Sequence, residues 1–297
     1  MKKYFKIFCY LIVLVSCLFS NDFNIKVLPI QEHGRIKPLD TFARNQMLSF
    51  FGKRELNHKE LDDESMDAIL WLIDLLSNSP GIYEKDVFNI ANPEIVSTLS
   101  LDWKNNFHRY NYIEIFKGIK NQFHYFKEIS SKNESELTQK DRDYLHIYNN
   151  IIQFNAINKS LYCLFPAIKI NNQYVSEKMN VNAGDYVSYA FFVLHLDKFR
   201  DLLQEFMSNV KDQDWSASDS TLSRITFNLD SMEKNSFSKI LKIIPPDPYH
   251  DEHEWLSPWE LLANRQMTPN QSRLIIALEN YFKYHLNNDT KNKQKAL

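Results

Sequence analysis

Three groups of residues in this 297-residue chain have the types and spacing to do chemistry. The first lies in Leu28–Leu48, "LPIQEHGRIKPLDTFARNQML". Gly34 can take a positive φ, and Pro38 fixes the angle at which the chain runs into a helix. Arg35 and Lys37 then stand near that helix N-terminus, where free N–H groups and the dipole favour an anion. Gly34, Arg35, Lys37, Pro38, Asp40, Thr41 and Arg44 are therefore candidates for holding an anion or a partner's carboxylate. The structural alternative is a corner whose Arg35 pairs with an internal Asp or Glu. The second group is "HDEHEW", with His250 and His253 three apart and flanked by Asp251, Glu252 and Glu254. It invites zinc and, with it, metal-dependent hydrolysis. It sits in a loop, however, and not on the helix that presents H-E-x-x-H, so a solvated acidic loop is the plainer reading. The third group would suit haem. His33, His250 and His253 offer imidazoles, Trp255 and Trp259 flat walls, and Arg35 or Lys37 cations for the propionates.

Other chemistries lack their residues. There is no G-x-S-x-G elbow, and 5 glycines supply no phosphate cradle. There is no C-x-x-C, so dithiol exchange and covalent c-type haem are excluded. The 35 basic and 37 acidic residues nearly balance, which gives no bulk attraction to nucleic acid.

The N-terminus reads "MKKYFKIFCYLIVLVSCLFSND". Lys2, Lys3 and Lys6 precede an apolar run, Ile7–Phe19, of 13 residues. A bilayer span needs ~20, so the run has the length of a signal-peptide core, and residues 1–20 are assigned to it. "LVSC" has the form of a lipobox, which makes Cys17 the lipidation candidate; ordinary cleavage and an uncleaved anchor are the alternatives. The expected location is extracytoplasmic (periplasmic) and membrane-associated. Beyond Cys9 and Cys17 the body holds a single thiol, Cys163.

The elements that must position these groups read as helices. With 21 Phe, 15 Tyr and 5 Trp, the chain can fill a sizeable core. Leu39, Ala43, Met47 and Phe50 share one helical face that Gly52 ends, with Asp40 or Thr41 as cap. "AILWLIDLL" is apolar nearly all round and predicts a buried central helix. A long helix opening at Thr138, with Asp141 three residues on, pairs with the segment around Ile115–Phe126 as an antiparallel hairpin. Residues 167–187 alternate enough for a small β-hairpin or a loop. Residues 213–236 are Ser/Asp-rich, with a helix inside whose extent the pattern leaves open, and read as the best candidate for a mobile connection; no internal repeat is evident. Ser257–Glu260 and Thr268–Gln271 are capping sequences for the last two helices. The expectation is a mainly-α, multi-helix domain over 21–288, with at most a small β-hairpin and a disordered tail at 289–297.

Gln31, Gly34, Arg35, Lys37, Pro38, Leu39, Asp40, Thr41, Ala43 and Arg44 also carry a resemblance. The stretch is similar to the "V-Q-x-x-G-R-x-K-P-L-D-T-x-A" signature in the extracytoplasmic region of CcsA/ResC-type proteins of System II cytochrome c biogenesis. Supporting likenesses are "AILWLIDLLSNSPGIYEKDVFNIANPEI", with its tryptophan-containing helix, extended piece and Asn-Pro-Glu turn, the mid-helix at 136–166, and "IIPPDPYHDEHEWLSPWELL". Together they span most of residues 25–265. In many relatives this region is continuous with transmembrane helices that carry a WWD segment and haem-binding histidines. Here "WLSPWE" is not a WWD motif, and no later apolar run is long enough to span. The resemblance therefore implies a non-catalytic accessory or scaffold subunit. Its expected partners are membrane-embedded CcsA/ResC- and ResB-type subunits and apocytochrome c. Its expected cofactor status is none held stably, with transient haem contact. An apocytochrome holdase and an exported hydrolase using His250–Glu254 are the competing expectations.

Overall fold

The computed structural model describes residues 24–56, 66–105, 107–211, 215–234, 240–246, 254–264 and 267–286. Residues 1–20, where a signal peptide and the lipidation candidate Cys17 are expected, the pair His250 and His253, and the tail 289–297 lie outside these. The described residues form a mainly α-helical domain: twelve α-helices with three two-stranded antiparallel pairs. None of these helices is long and apolar enough to cross a membrane.

The chain enters through strands β1 (Pro29–Glu32) and β2 (Arg35–Pro38) and passes straight into helix α1 (Leu39–Phe51). Leu39, Ala43, Met47 and Phe50 are buried, as their spacing requires, and Gly52 closes the helix at φ 77. The cap differs from expectation. The helix starts at Leu39, so Asp40 and Thr41 lie inside it, and Pro38 occupies the N-cap with no side-chain bond. Proline's fixed φ shapes that start in place of a hydroxyl or carboxylate.

Helix α2 (Ala68–Leu76) is the expected central helix. Its Trp71 meets Phe50 edge-on at 5.8 Å, and Phe50 and Phe154 both reach Phe88, at 5.3 and 5.5 Å. Such rings fill a large part of one continuous core. After strand β3 (Phe88–Asn89), α3 (Pro93–Thr98) and β4 (Arg109–Tyr110), the chain forms α4 (Tyr112–Asn121), α5 (Phe123–Ser130) and the long α6 (Gln139–Lys159). Thr138 and Asp141 make a reciprocal capping box at the start of α6. Tyr125 lies against Tyr144, and Asn155 donates to the Tyr112 hydroxyl at 2.6 Å. These contacts make α4–α5 and α6 the antiparallel pair that the sequence predicts.

The remainder is β5 (Ile168–Lys169), α7 (Gln173–Met179), β6 (Tyr186–Val187), α8 (Tyr189–Leu194), α9 (Leu196–Lys211), α10 (Ala217–Lys234), α11 (Pro258–Asn264) and α12 (Pro269–Leu286). Two expectations are corrected here. The hairpin at 167–187 exists, but a helix is inserted between its strands. Within 213–236 the helix is there and takes up all of Ala217–Lys234, as the 18-residue α10; opened by Ser216 and Asp219, it buries Leu222, Ile225 and Met232 and is packed on the body where a mobile connection was expected. Its Ser/Asp-rich outer face hides the apolar stripe on the other side.

A further correction concerns repetition. Residues 82–101 and 162–181 follow the same course, each position in the second being 80 later: a 3-10 turn, a two-residue strand and a short helix. Asn92 and Asn172 cap the two short helices through their side chains. Ser100 and Asn180 then both turn left-handed, at φ 54 and 63, so that Leu101 and Val181 bond back to Val96 and Ser176. In each copy the second strand leads through one cap residue, Asn111 or Ser188, into the next helix. Pro38 before α1 occupies the same strand-to-helix junction. Ser257 does so before α11, after the bridge between Ile244 and Leu256. The fold is thus a set of small hairpins that each launch a helix onto a shared core.

Candidate functional site

The first hairpin turns through His33 and Gly34, at φ 50 and 73, the paired positive angles of a tight two-residue turn. Glu32 stands opposite Arg35, Ile30 opposite Lys37 and Gln31 opposite Ile36. Directly opposed residues share a face. Ile30, Glu32, Arg35 and Lys37 thus lie on the face that points inward at Ile30, which is fully buried. Lys37 lays its stem there and pairs with Glu32. Burial draws its ammonium below the usual lysine range. Arg35, one step nearer the turn, is exposed and makes no ion pair among the described residues. Ile36 projects from the opposite face, 61% exposed.

Asp40 and Arg44 face each other one helical turn apart at 2.8 Å, and Arg44 also pairs with Glu55 and approaches Asp67 at 3.5 Å. Lys26 closes the group on Asp67 at 2.5 Å. Its hydrogen bond and charge hold the Asp67 carboxyl below, and Lys26 itself above, their ordinary values. The Arg44 guanidinium is likewise held above its ordinary value by Asp40 and Glu55. The network staples the N-terminal turn, α1 and the start of α2 together. Thr41 is exposed on the same helix.

Internal pairing at this corner therefore falls to Lys37 and Arg44, while Arg35 is left open to solvent. The Asp40–Arg44 contact is a local i,i+4 pair. The partners Lys26, Glu32, Glu55 and Asp67 were not singled out, and Lys26 with Asp67, 41 residues apart, leaves no local signal.

Of the haem candidates, His33, Trp255 and Trp259 are among the described residues. His33 sits exposed at the hairpin tip. Trp255 is buried. Trp259 donates its indole N–H to the Lys159 carbonyl at 3.1 Å and packs on Tyr189 at 5.2 Å. Trp259 does border a cavity of about 460 Å³ with Lys159, Tyr162, Phe165 and Met232, but no histidine lines it. The described residues thus do not assemble an axial imidazole with an apolar slot and cations, and no step is derived through haem. Among the described residues no cluster of three or more His, Cys, Asp or Glu stands ready for a metal, and the His250–His253 pair lies outside them. The Cys163 thiol is fully buried, and burial pushes its pKa well up, so it is a poor nucleophile.

Comparison with known protein families, with curated proteins and with solved structures finds no match to this chain.

Proposed function

We propose that the chain is an extracytoplasmic, membrane-associated scaffold subunit of a cytochrome c maturation complex, acting by binding and positioning. The observation that carries this reading is the agreement of Gln31–Arg44 with the System II signature, residue by residue. The physical division of labour within that stretch supports it. Gly34 makes the turn, Pro38 sets the strand-to-helix junction, and Asp40 and Arg44 tie the first helix to Glu55 and Asp67. Arg35 is left as an uncommitted cation on a rigid tip, suited to a carboxylate on a partner. The partners are CcsA/ResC- and ResB-type membrane subunits and apocytochrome c, with haem touched at most in passing.

Co-purification of the full chain from membranes tests the reading. The parent protein should bring down a membrane haem protein. Arg35→Ala should lose it while changing unfolding stability by less than about 0.5 kcal/mol, as expected for an exposed side chain. Lys37→Ala is the contrasting control, because it strips a half-buried Glu32 of its partner and acts on stability first. Stoichiometric zinc in the purified chain, or unaided turnover of a substrate, would instead favour the hydrolase built on His250–Glu254.

A further inference from the structure

Helices α4 and α5 follow one another with only Gln122, at φ −105 and ψ 23, between them. The helical bonding runs through the joint at Gln122, whose N–H reaches the Gly118 carbonyl at 3.0 Å and whose own carbonyl accepts from Phe126 at 3.4 Å. Their inner side is spoken for: Ile115, Ile119 and Ile129 are buried, and Gly118 presses on Leu99. The outer side is unusual. Ile113, Phe116, Lys117 and Lys120 follow one another at helical spacing, and Phe123 and Lys127 continue the row. Ile113 is 50% exposed, Phe116 45% and Phe123 46%. The row runs about 21 Å at the helical rise per residue.

The rings are held flat. Phe116 stacks on Tyr112 with planes 12° apart, Phe123 stacks on Phe126, and Phe126 stacks on Tyr148 at 4.0 Å. The charge is one-sided. Lys117 and Lys120 form no ion pair among the described residues, and Lys127 lies over the Phe123 ring at 5.2 Å. The nearby acids are already engaged, Glu114 by Lys104 and Glu128 by Lys132. In a chain of net charge −2, this is a local concentration of uncompensated cation beside exposed aromatics.

We propose that this α4–α5 face lies on an anionic lipid bilayer. Phenylalanines at the depth of the acyl–headgroup boundary, with lysine stems reaching back to anionic headgroups, are the chemistry of interfacial helices. Charge complementarity selects the occupant: the lysines need anions, and the half-exposed Ile113, Phe116 and Phe123 need an apolar layer broader than one side chain. The inference is independent of haem attachment. It also agrees with the expectation of a membrane-associated location, with Cys17 as the lipidation candidate.

The test is lysine acetylation, read by mass spectrometry, on the full chain reconstituted in two kinds of vesicle. One kind is phosphatidylethanolamine with phosphatidylglycerol, and the other is phosphatidylcholine alone. Lys117, Lys120 and Lys127 should react about fivefold more slowly on the anionic vesicles, while the exposed Lys198 reacts equally on both. In Lys117→Glu/Lys120→Glu, changes confined to exposed positions, Lys127 should lose that protection. Equal rates on the two vesicles would overturn the proposal, as would protection spread evenly over all lysines including Lys198. Protection of Lys127 that survives the double substitution would do the same. A face that binds an acidic protein instead would give the first of these results.

Discussion

Asp141 shows how much a single side chain does in this fold. It is buried at the start of α6. It accepts from the Tyr125 hydroxyl at 2.5 Å and from the Thr138 N–H at 3.0 Å, and pairs with Lys132 at 3.3 Å. These bonds, the Tyr125 hydroxyl first, hold its carboxyl well below the usual carboxylate range, while burial and then the same contact raise Tyr125. A folded-state pKa below the unfolded value means stabilisation that is present above the ordinary value of 3.8 and is lost as pH falls below it. Asp141→Asn should therefore cost about 1–3 kcal/mol at neutral pH, the range for a buried, charge-assisted bond. Urea unfolding of parent and variant from pH 7 to pH 2 should show the gap close on the acid side. A gap that is constant with pH would mean that shape, not charge, carries the contact.

Elements make their own demands. Gly118 is the one helical glycine in α4, and a Cβ there would meet the Leu99 carbonyl oxygen at 2.6 Å. Helix propensity alone favours Ala by ~1 kcal/mol. The clash is with backbone, which cannot swing aside, so Gly118→Ala should instead destabilise, by about 1–3 kcal/mol. Thermal unfolding gives the sign. The duplicated unit offers a paired test. Ser100 and Asn180 hold equivalent left-handed positions, and asparagine tolerates that region better than serine. Ser100→Gly should stabilise by about 0.5 kcal/mol and Asn180→Gly by roughly nothing. Equal effects in denaturant melts would show that the two turns are not equivalent.

These elements also mark what could be read from sequence. The capping boxes at Thr138, Ser257 and Thr268 and the apolar stripe of α1 were legible because each is local and follows a fixed spacing. The duplication was not. Over its aligned stretch only Ile90 with Ile170 and Asn92 with Asn172 are identical. What repeats is burial and backbone angle, which different apolar residues satisfy equally, as Ile95 and Val175 or Leu99 and Met179 do. The full length of helix α10 was obscured by its polar outer face. At the candidate corner the Gly34 turn was visible, and the Asp40–Arg44 pair, though at i,i+4 spacing, reads from sequence as a cap and a free cation; the commitment of Lys37 to Glu32 depends on strand register and inward direction.

At the scale of the whole molecule, the parts divide between a shared core and the surface it carries. A ring-filled core carries rigid hairpin junctions, the one body thiol is sealed, and the open charge stands at a tip and along one outer face. The central claim is that this body, through Arg35, positions the partners that attach haem to apocytochrome c. The most direct measurement is the amount of mature cytochrome c, by haem stain, in cells lacking the chain. The account predicts a clear fall in its absence, recovery with the parent chain, and little recovery with an Arg35→Ala chain present at equal abundance. Unchanged cytochrome c in the deletion would contradict it.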